Sequence, residues 1–217
     1  MSDQTHDVAG LRRDYGRLRL TRESLDANPF AQFKAWMDEA IDEKLIDANA
    51  MSIATVNAAG EPSLRTVLLK GYSESGFVFF TNLESHKAQD IAVNANVALL
   101  FYWREFERQV KIQGTASRLP MLDVAKYFFS RPRESRIAAW VSPQSRVIDA
   151  RRALEMKFDE MLRKFGDGEI PVPSFWGGYR VAPRMIEFWQ GGSHRLHDRF
   201  RYQRSDAGAW TIDCLAP

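Results

Sequence analysis

One stretch of this 217-residue chain concentrates residue types that do chemistry: FWQGGSHRLHDRF, residues 188–200. Gly191 and Gly192 let the backbone approach a ligand closely, and Trp189 offers a flat face for a planar ring. Arg195, His197 and Arg199 alternate, which on an extended strand turns all three to one side. Three such groups repel one another unless an anion or a polar ligand lies among them. A solvated basic strand edge accounts for the alternation as well, and the glycine pair with its flanking aromatics is what favours a site. His194 and His197 stand three apart, but no cluster of other ligand types accompanies them, so no metal site is expected.

Three further segments carry donors suited to phosphate. In LRTVLLK (64–70), Arg65 and Lys70 bracket an apolar strand, and their odd spacing predicts opposite faces. In FTNLESHK (80–87), a strand leads to a helix start. Ser85 is the expected N-cap there, and the first-turn amides are open to an anion. Lys87 in that first turn opposes the helix dipole unless an anion compensates. In YFFSRPRES (127–135), Tyr127 and Arg131 share a helix face, Pro132 breaks the helix, and Ser135 falls near a second helix start. Each segment also has an ordinary reading as exposed basic residues on strand or helix ends. Together they offer two separable phosphate-binding sets.

The elements that must position these residues are legible as patterns. Leu11, Tyr15 and Leu18 predict a short amphipathic helix in an arginine-rich segment, residues 1–27. Asn28-Pro29 marks a helix start, and apolar residues at helical spacing follow to Leu45. Strands are predicted over 51–56, 63–69, 77–81, 97–103, 106–116, 180–189, 199–204 and 210–215. The fourth and fifth form a hairpin about Arg104-Glu105. Helices are predicted over 85–94, 120–130 and 147–165, the last closed by Gly166. Tight turns between strands, with helices inserted, indicate a mostly β chain with flanking helices (α+β), built as an antiparallel barrel rather than βαβ units. The domain reading is a segment 1–27 followed by one domain, 28–217.

Composition narrows the function classes. The net charge is +2, too weak to argue for nucleic acid. Cys214 is the sole cysteine, so there is no internal disulfide, a reducing cytoplasmic setting is the default, and a packing role is expected for it. No apolar run suits a membrane span or a signal peptide. GxGxxG, GxxxxGK[ST] and GxSxG motifs are absent.

The segments LRRDY (11–15), RTVLLK (65–70), FFTNLESHK (79–87), ERQVKIQG (107–114), YFFSRPRESRIAAWVSPQS (127–145), PSFWGGYR (173–180) and FWQGGSHRLHDRF (188–200) resemble, in order and over nearly the whole chain, the pyridoxine/pyridoxamine 5′-phosphate oxidase family. The resemblance implies an FMN-binding split β-barrel working as a homodimer, with FMN at the subunit interface. It implies that Arg65, Lys70, Thr81, Lys87, Gln109, Gln144, Ser145, Trp189 and Arg199 contact FMN, with Thr66, Val67, Leu68, Leu69 and Phe80 lining it. Lys70, Tyr127, Arg131 and Ser135 would hold the substrate phosphate, and Arg195, Leu196 and His197 would flank the pyridine. Arg12 and Tyr15 would close over it as a lid. Two positions depart from the family pattern. His86 stands beside Lys87 where arginine is frequent, in the cofactor-phosphate set, and Phe80 stands where tyrosine is common. The implied reaction is oxidation of phosphorylated B6 vitamers to pyridoxal 5′-phosphate, with dioxygen as acceptor and peroxide as product. A split-barrel reductase with another substrate, or a flavin-free vitamer carrier, stays open beside it.

Overall fold

Asn28-Pro29 starts the first helix, as its residue types predict. Helix α1 (Pro29–Asp42) is capped by the Asn28 side chain, which accepts from the Phe30 amide at 2.9 Å. The computed structural model describes residues 10, 11, 14–16, 18–148 and 150–217, and the chain divides into two units.

The larger unit holds residues 49–101 and 111–185. It contains β1 (Ala50–Val56), β2 (Pro62–Leu68), β3 (Gly71–Ser73), β4 (Gly76–Asn82) and α2 (His86–Val93). It also holds most of β5 (Asn96–Trp103), β6 (Arg108–Arg118) and β7 (Trp176–Gln190). Helices α3 (Met121–Ser130), α4 (Arg133–Val141) and α5 (Arg151–Phe165) complete it. The sheet order is β2-β1-β5-β6-β7-β4-β3, and β1–β2, β3–β4 and β4–β7 pair antiparallel. Alternate residues of β1 and β5 are buried, the two-residue period of strands with one face on a core. Two glycines let backbones meet: a Cβ at Gly114 would lie 2.2 Å from the Ala182 carbonyl oxygen, and at Gly76 (φ 130°) equally close to that of Val181. A second core joins Phe128, Ile137, Val141, Met161 and Trp176, with Leu154, Phe158 and Phe165 of α5 packed against it. The apolar stripe expected of that helix is thus the face it buries.

The smaller unit holds residues up to 48, 102–110 and 186–217. Helix α1 turns Phe33, Trp36, Met37 and Ala40 inward, and Trp36 meets Phe188 edge-on at 5.1 Å. A 3₁₀ turn, Arg104–Phe106, links β5 to β6 where the hairpin was expected. The Arg108 guanidinium lies 4.4 Å from the Trp36 ring centroid and donates to Gln190 Oε1 at 2.9 Å. Strands β8 (Asp198–Arg204) and β9 (Trp210–Cys214) form an antiparallel hairpin, and β8 also pairs with β7. The Tyr202 hydroxyl, in a fully buried side chain, donates to the Asp26 carbonyl at 2.6 Å.

Several expectations are corrected. The described residues among 10–20 form no helix: Gly16 has φ 140°, and its amide donates to Glu107 Oε2 at 2.9 Å instead of to a helical carbonyl. Helix α5 begins at Arg151, not at 147, since Ala150 is extended and the β-branched Val147 and Ile148 are poor helix formers. Ser85 stands at the N-cap of α2, but its hydroxyl donates to the Asn82 carbonyl at 2.7 Å and caps nothing. Cys214 is exposed rather than packed. Arg195, His197 and Arg199 do not alternate along one strand. Residues Ser193–Arg195 form a 3₁₀ turn with φ 64° at Arg195, and β8 starts at Asp198. Gly192 permits that turn, because a Cβ there would sit 2.1 Å from the Leu196 carbonyl oxygen.

Candidate active site

The larger unit carries a cleft of about 420 Å³, of the size that takes a cofactor or a drug-sized ligand. From β2 come Arg65, Thr66, Val67 and Leu68, and Lys70 follows just beyond; Phe80 and Thr81 come from β4, and Lys87 from α2. Tyr127, Arg131, Gln144, Ser145 and Trp176 complete the lining. Arg65 and Lys70 therefore face one cleft, not opposite sides. Strand β2 ends at Leu68 and the chain leaves strand geometry, the Lys70 amide donating to the Val78 carbonyl at 2.8 Å.

Two cations of the lining, Lys87 and Arg65, are fixed by hydrogen bonds to neutral oxygens. Lys87, 6% exposed, donates to Gln144 Oε1 at 3.0 Å and Thr81 Oγ1 at 3.1 Å. Thr81 in turn donates to Gln144 at 2.9 Å. Burial, with the nearby Arg65 charge adding to it, pushes the Lys87 ammonium down to about 8. Arg65 donates to Thr55 Oγ1 at 2.7 Å, to the Ile53 carbonyl at 3.2 Å and to Ser63 Oγ at 2.6 Å. The Thr55 hydroxyl in turn donates to Asp90 Oδ2 at 2.6 Å, and that carboxylate stands 3.8 Å from the guanidinium. Burial lowers the Arg65 pKa, and Asp90 opposes the shift.

Three aromatic rings of the lining form a stack. Phe80 and Tyr127 lie 4.0 Å apart at 17°, and Phe80 and Trp176 5.2 Å apart at 7°. The Arg131 guanidinium sits 5.1 Å from the Trp176 ring centroid. Its Nη1 is buried without a hydrogen-bond partner among the described residues, a donor aimed at something that must supply an oxygen. Burial raises the Tyr127 pKa and lowers that of Arg131, and each partly offsets the other. A second cleft, about 510 Å³, is lined by His86 with Glu61 and Asp90. Its carboxylates and its lack of the stack and guanidinium make it a poor anion site. His86 thus stands apart from the expected cofactor set, and Leu69 and Ser135 are likewise outside the cleft lining among the described residues.

The smaller unit carries the other expected residues. Trp189, His197 and Tyr15 form a cluster: Trp189–His197 centroids are 4.7 Å apart, Tyr15–Trp189 5.9 Å and Tyr15–His197 5.8 Å. His197 Nδ1 accepts from the Gly192 amide at 3.1 Å, so the neutral ring carries its proton on Nε2. Arg199 is not a bare cation. It donates to Glu187 Oε1 at 2.8 and 2.9 Å and to the Ala216 carbonyl at 2.8 Å. Arg195 and Leu196 are exposed, and Gln109 is half-buried on β6. Arg12 lies outside the described residues.

Sequence reasoning passed over Trp176, Thr55, Asp90 and Glu187. The WGG run at 176–178 was a signal for the first: Cβ atoms at Gly177 and Gly178 would fall within 3 Å of the Leu83 and Phe80 side chains. The others are acceptors supplied by distant strands or helices, and no local motif announces them.

A family model described as pyridoxamine 5′-phosphate oxidase matches residues 37–165, and one described as pyridoxine 5′-phosphate oxidase C-terminal dimerisation region matches residues 176–217. The chain belongs to the pyridoxamine 5′-phosphate oxidase family. A Shewanella frigidimarina protein named pyridoxine/pyridoxamine 5′-phosphate oxidase is 57% identical, across 97% of this chain and 99% of the relative. One of that name from Klebsiella pneumoniae is 56% identical, across 100% and 99%. Among solved structures, PhzG of Burkholderia lata superposes with a TM-score of 0.87 at 27% identity, covering 94% of this chain and 100% of that one. An FMN-binding protein of Nostoc punctiforme shares the fold, with a TM-score of 0.71 at 17% identity over 89% of this chain and 100% of that one.

The family is FMN-dependent, and this chain is an oxidoreductase with the split-barrel fold that assembles as a homodimer. The residues present fit FMN. A buried lysine and a clamped arginine suit its single phosphate, and Arg131 Nη1, unpartnered among the described residues, is left for a second anion. No helix among the described residues is long and apolar enough to cross a membrane. Among the same residues no group of three or more His, Cys, Asp or Glu could hold a metal ion.

Proposed function

We propose that the chain oxidises pyridoxine 5′-phosphate and pyridoxamine 5′-phosphate to pyridoxal 5′-phosphate in the cytoplasm, with dioxygen as electron acceptor and hydrogen peroxide as product. The observation that carries the reading is one cleft whose lining joins four cations, Arg65, Lys70, Lys87 and Arg131, with the stacked rings of Phe80, Tyr127 and Trp176. Two phosphorylated, ring-bearing ligands suit that combination of cations and rings. Relatives that match end to end at 56–57% identity bear the name of that reaction.

FMN, when bound, supplies the acceptor for the hydride leaving the 4′ carbon of the vitamer. The protein's share is binding, orientation and charge. Arg65, Lys87, Thr81, Gln144 and Ser145 would hold the cofactor phosphate, with Thr66, Val67 and Leu68 along its length. Lys70, Tyr127 and Arg131 would take the substrate phosphate, joined by Ser135. FMN would lie at the subunit interface, so that each site would draw on both chains and add Gln109, Trp189, Arg195, His197 and Arg199. Arg195 holds the pyridine ring and stabilises charge that develops in the transition state. His197, protonated on Nε2, offers a proton rather than accepting one there. Residues 1–27, with Arg12 and Tyr15, close over the substrate.

The decisive experiment is an aerobic assay of FMN-loaded protein with pyridoxine 5′-phosphate, following aldehyde and peroxide. Equal amounts of the two are expected. No product with either vitamer overturns the oxidase reading in favour of a split-barrel reductase, and protein that binds the vitamers but takes up no FMN favours a carrier.

A further inference from the structure

Glu107 is a buried carboxylate to which the reaction assigns no part. It is 1% exposed, sits at φ 56°, and stands where the 3₁₀ turn meets β6. Its backbone is committed to the fold: its carbonyl accepts from the Gly191 amide at 2.7 Å and from Gln190 Nε2 at 3.3 Å. Its side chain reaches the N-terminal segment, Oε2 accepting from the Gly16 amide at 2.9 Å.

The surroundings are shaped for that contact. A Cβ at Gly191 would lie 2.9 Å from Tyr15 Cγ and 3.0 Å from Glu107 Cβ, so the Tyr15 ring occupies the space a side chain would take. A Cβ at Gly16 would lie 2.5 Å from Ser193 Oγ, and its φ of 140° suits glycine. Tyr15 so placed is edge-on to both Trp189 and His197. Four residues further on, a second carboxylate fixes the segment. Asp198 Oδ2 accepts from the Leu20 amide and from Arg19 Nε, both at 3.0 Å.

We infer that Glu107 is a positioning residue for substrate binding: it clasps the segment at Gly16, holding Tyr15 against Trp189 and His197, while Asp198 roots the segment at Arg19 and Leu20. The inference rests on the reading that residues 1–27 close over the substrate. A buried carboxylate suits the task because a charged acceptor roughly doubles the strength of an amide hydrogen bond.

The test compares Glu107→Ala and Glu107→Gln with the unchanged chain, all FMN-loaded, by trypsin cleavage at the arginines of residues 12–22, KM and kcat for pyridoxine 5′-phosphate, FMN affinity and Tm. Glu107→Ala is expected to be cleaved faster and to raise KM about tenfold, the effect of losing one hydrogen bond to a charged acceptor, with kcat, FMN affinity and Tm unchanged. Glu107→Gln keeps an oxygen acceptor and is expected to recover most of the loss. Gly16→Ala, at an exposed position, should reproduce the KM effect from the other side of the contact. Unchanged cleavage in Glu107→Ala overturns the clasp. A loss shared by FMN affinity, Tm and KM, with none recovered in Glu107→Gln, also overturns it in favour of a general packing role. Faster cleavage with an unchanged KM leaves the clasp standing and overturns the closing of the segment over substrate.

Discussion

Lys87 and Arg131 show how single side chains can be held ready for an anion in different ways. Lys87 is surrounded by neutral oxygens, so burial lowers its pKa to about 8 from the usual 10.5. An unfolded chain keeps that proton to the higher value. Between the two, the unfolded state binds more protons, and the empty protein should gain stability as pH rises. FMN binding should show the opposite trend, because a phosphate needs the ammonium. Above about pH 8 binding should take up a proton, and affinity should fall by up to about tenfold per pH unit. Calorimetric titration in two buffers of different ionisation heat measures that uptake; none at pH 8.5 removes Lys87 from the phosphate set. Arg131 instead keeps a buried donor without a partner among the described residues. Arg131→Leu should raise KM for the vitamers by about tenfold or more, as loss of a charge-assisted bond implies, and leave FMN content intact. Arg195→Leu should do the reverse to the kinetics, with far more loss in kcat than in FMN binding. Wild-type turnover in that variant would strike Arg195 from the mechanism.

At the scale of elements, what the sequence announces is local, and what it withholds is long-range. Asn28-Pro29 carries its own capping chemistry, so the start of α1 is legible, and Asn28→Ala should cost about 1 kcal/mol in denaturant unfolding. The turn at Gly191-Gly192 is legible as a glycine pair, but not the reversal it makes. That reversal takes Arg195 off the strand on which alternation places it. Lys70 likewise joins Arg65 because β2 stops two residues earlier, a boundary set by pairing with β1 and not by local residue types. The described residues among 10–20 take no helix, and the Gly16 amide is held instead by Glu107, ninety-one residues away in sequence. Close strand packing makes its own prediction. Gly114→Ala forces a methyl group against the Ala182 carbonyl, and should cost about 3 kcal/mol through overpacking, read as a lowered denaturation midpoint.

The whole molecule is a homodimer, and the proposed site takes residues from both chains. That arrangement has a consequence for mixtures. Arg131→Leu and Arg195→Leu chains should each be poorly active. If the two arginines of one site come from different protomers, refolding the chains together should yield hybrid dimers with one intact site. Random reassortment in a two-fold dimer then restores about a quarter of full activity. No recovery places both arginines of a site on one protomer.

Cys214 gives this assembly an unplanned gauge. It is the sole thiol, it is exposed on the single chain, and it is paired with Phe200 on β8. A nitroxide or dye placed on it needs no cysteine removed beforehand, and a two-fold dimer then carries a single interlabel distance. Spectroscopy of that one separation, with and without vitamer, would reveal whether the terminal hairpins shift during turnover or stand still while the chemistry proceeds.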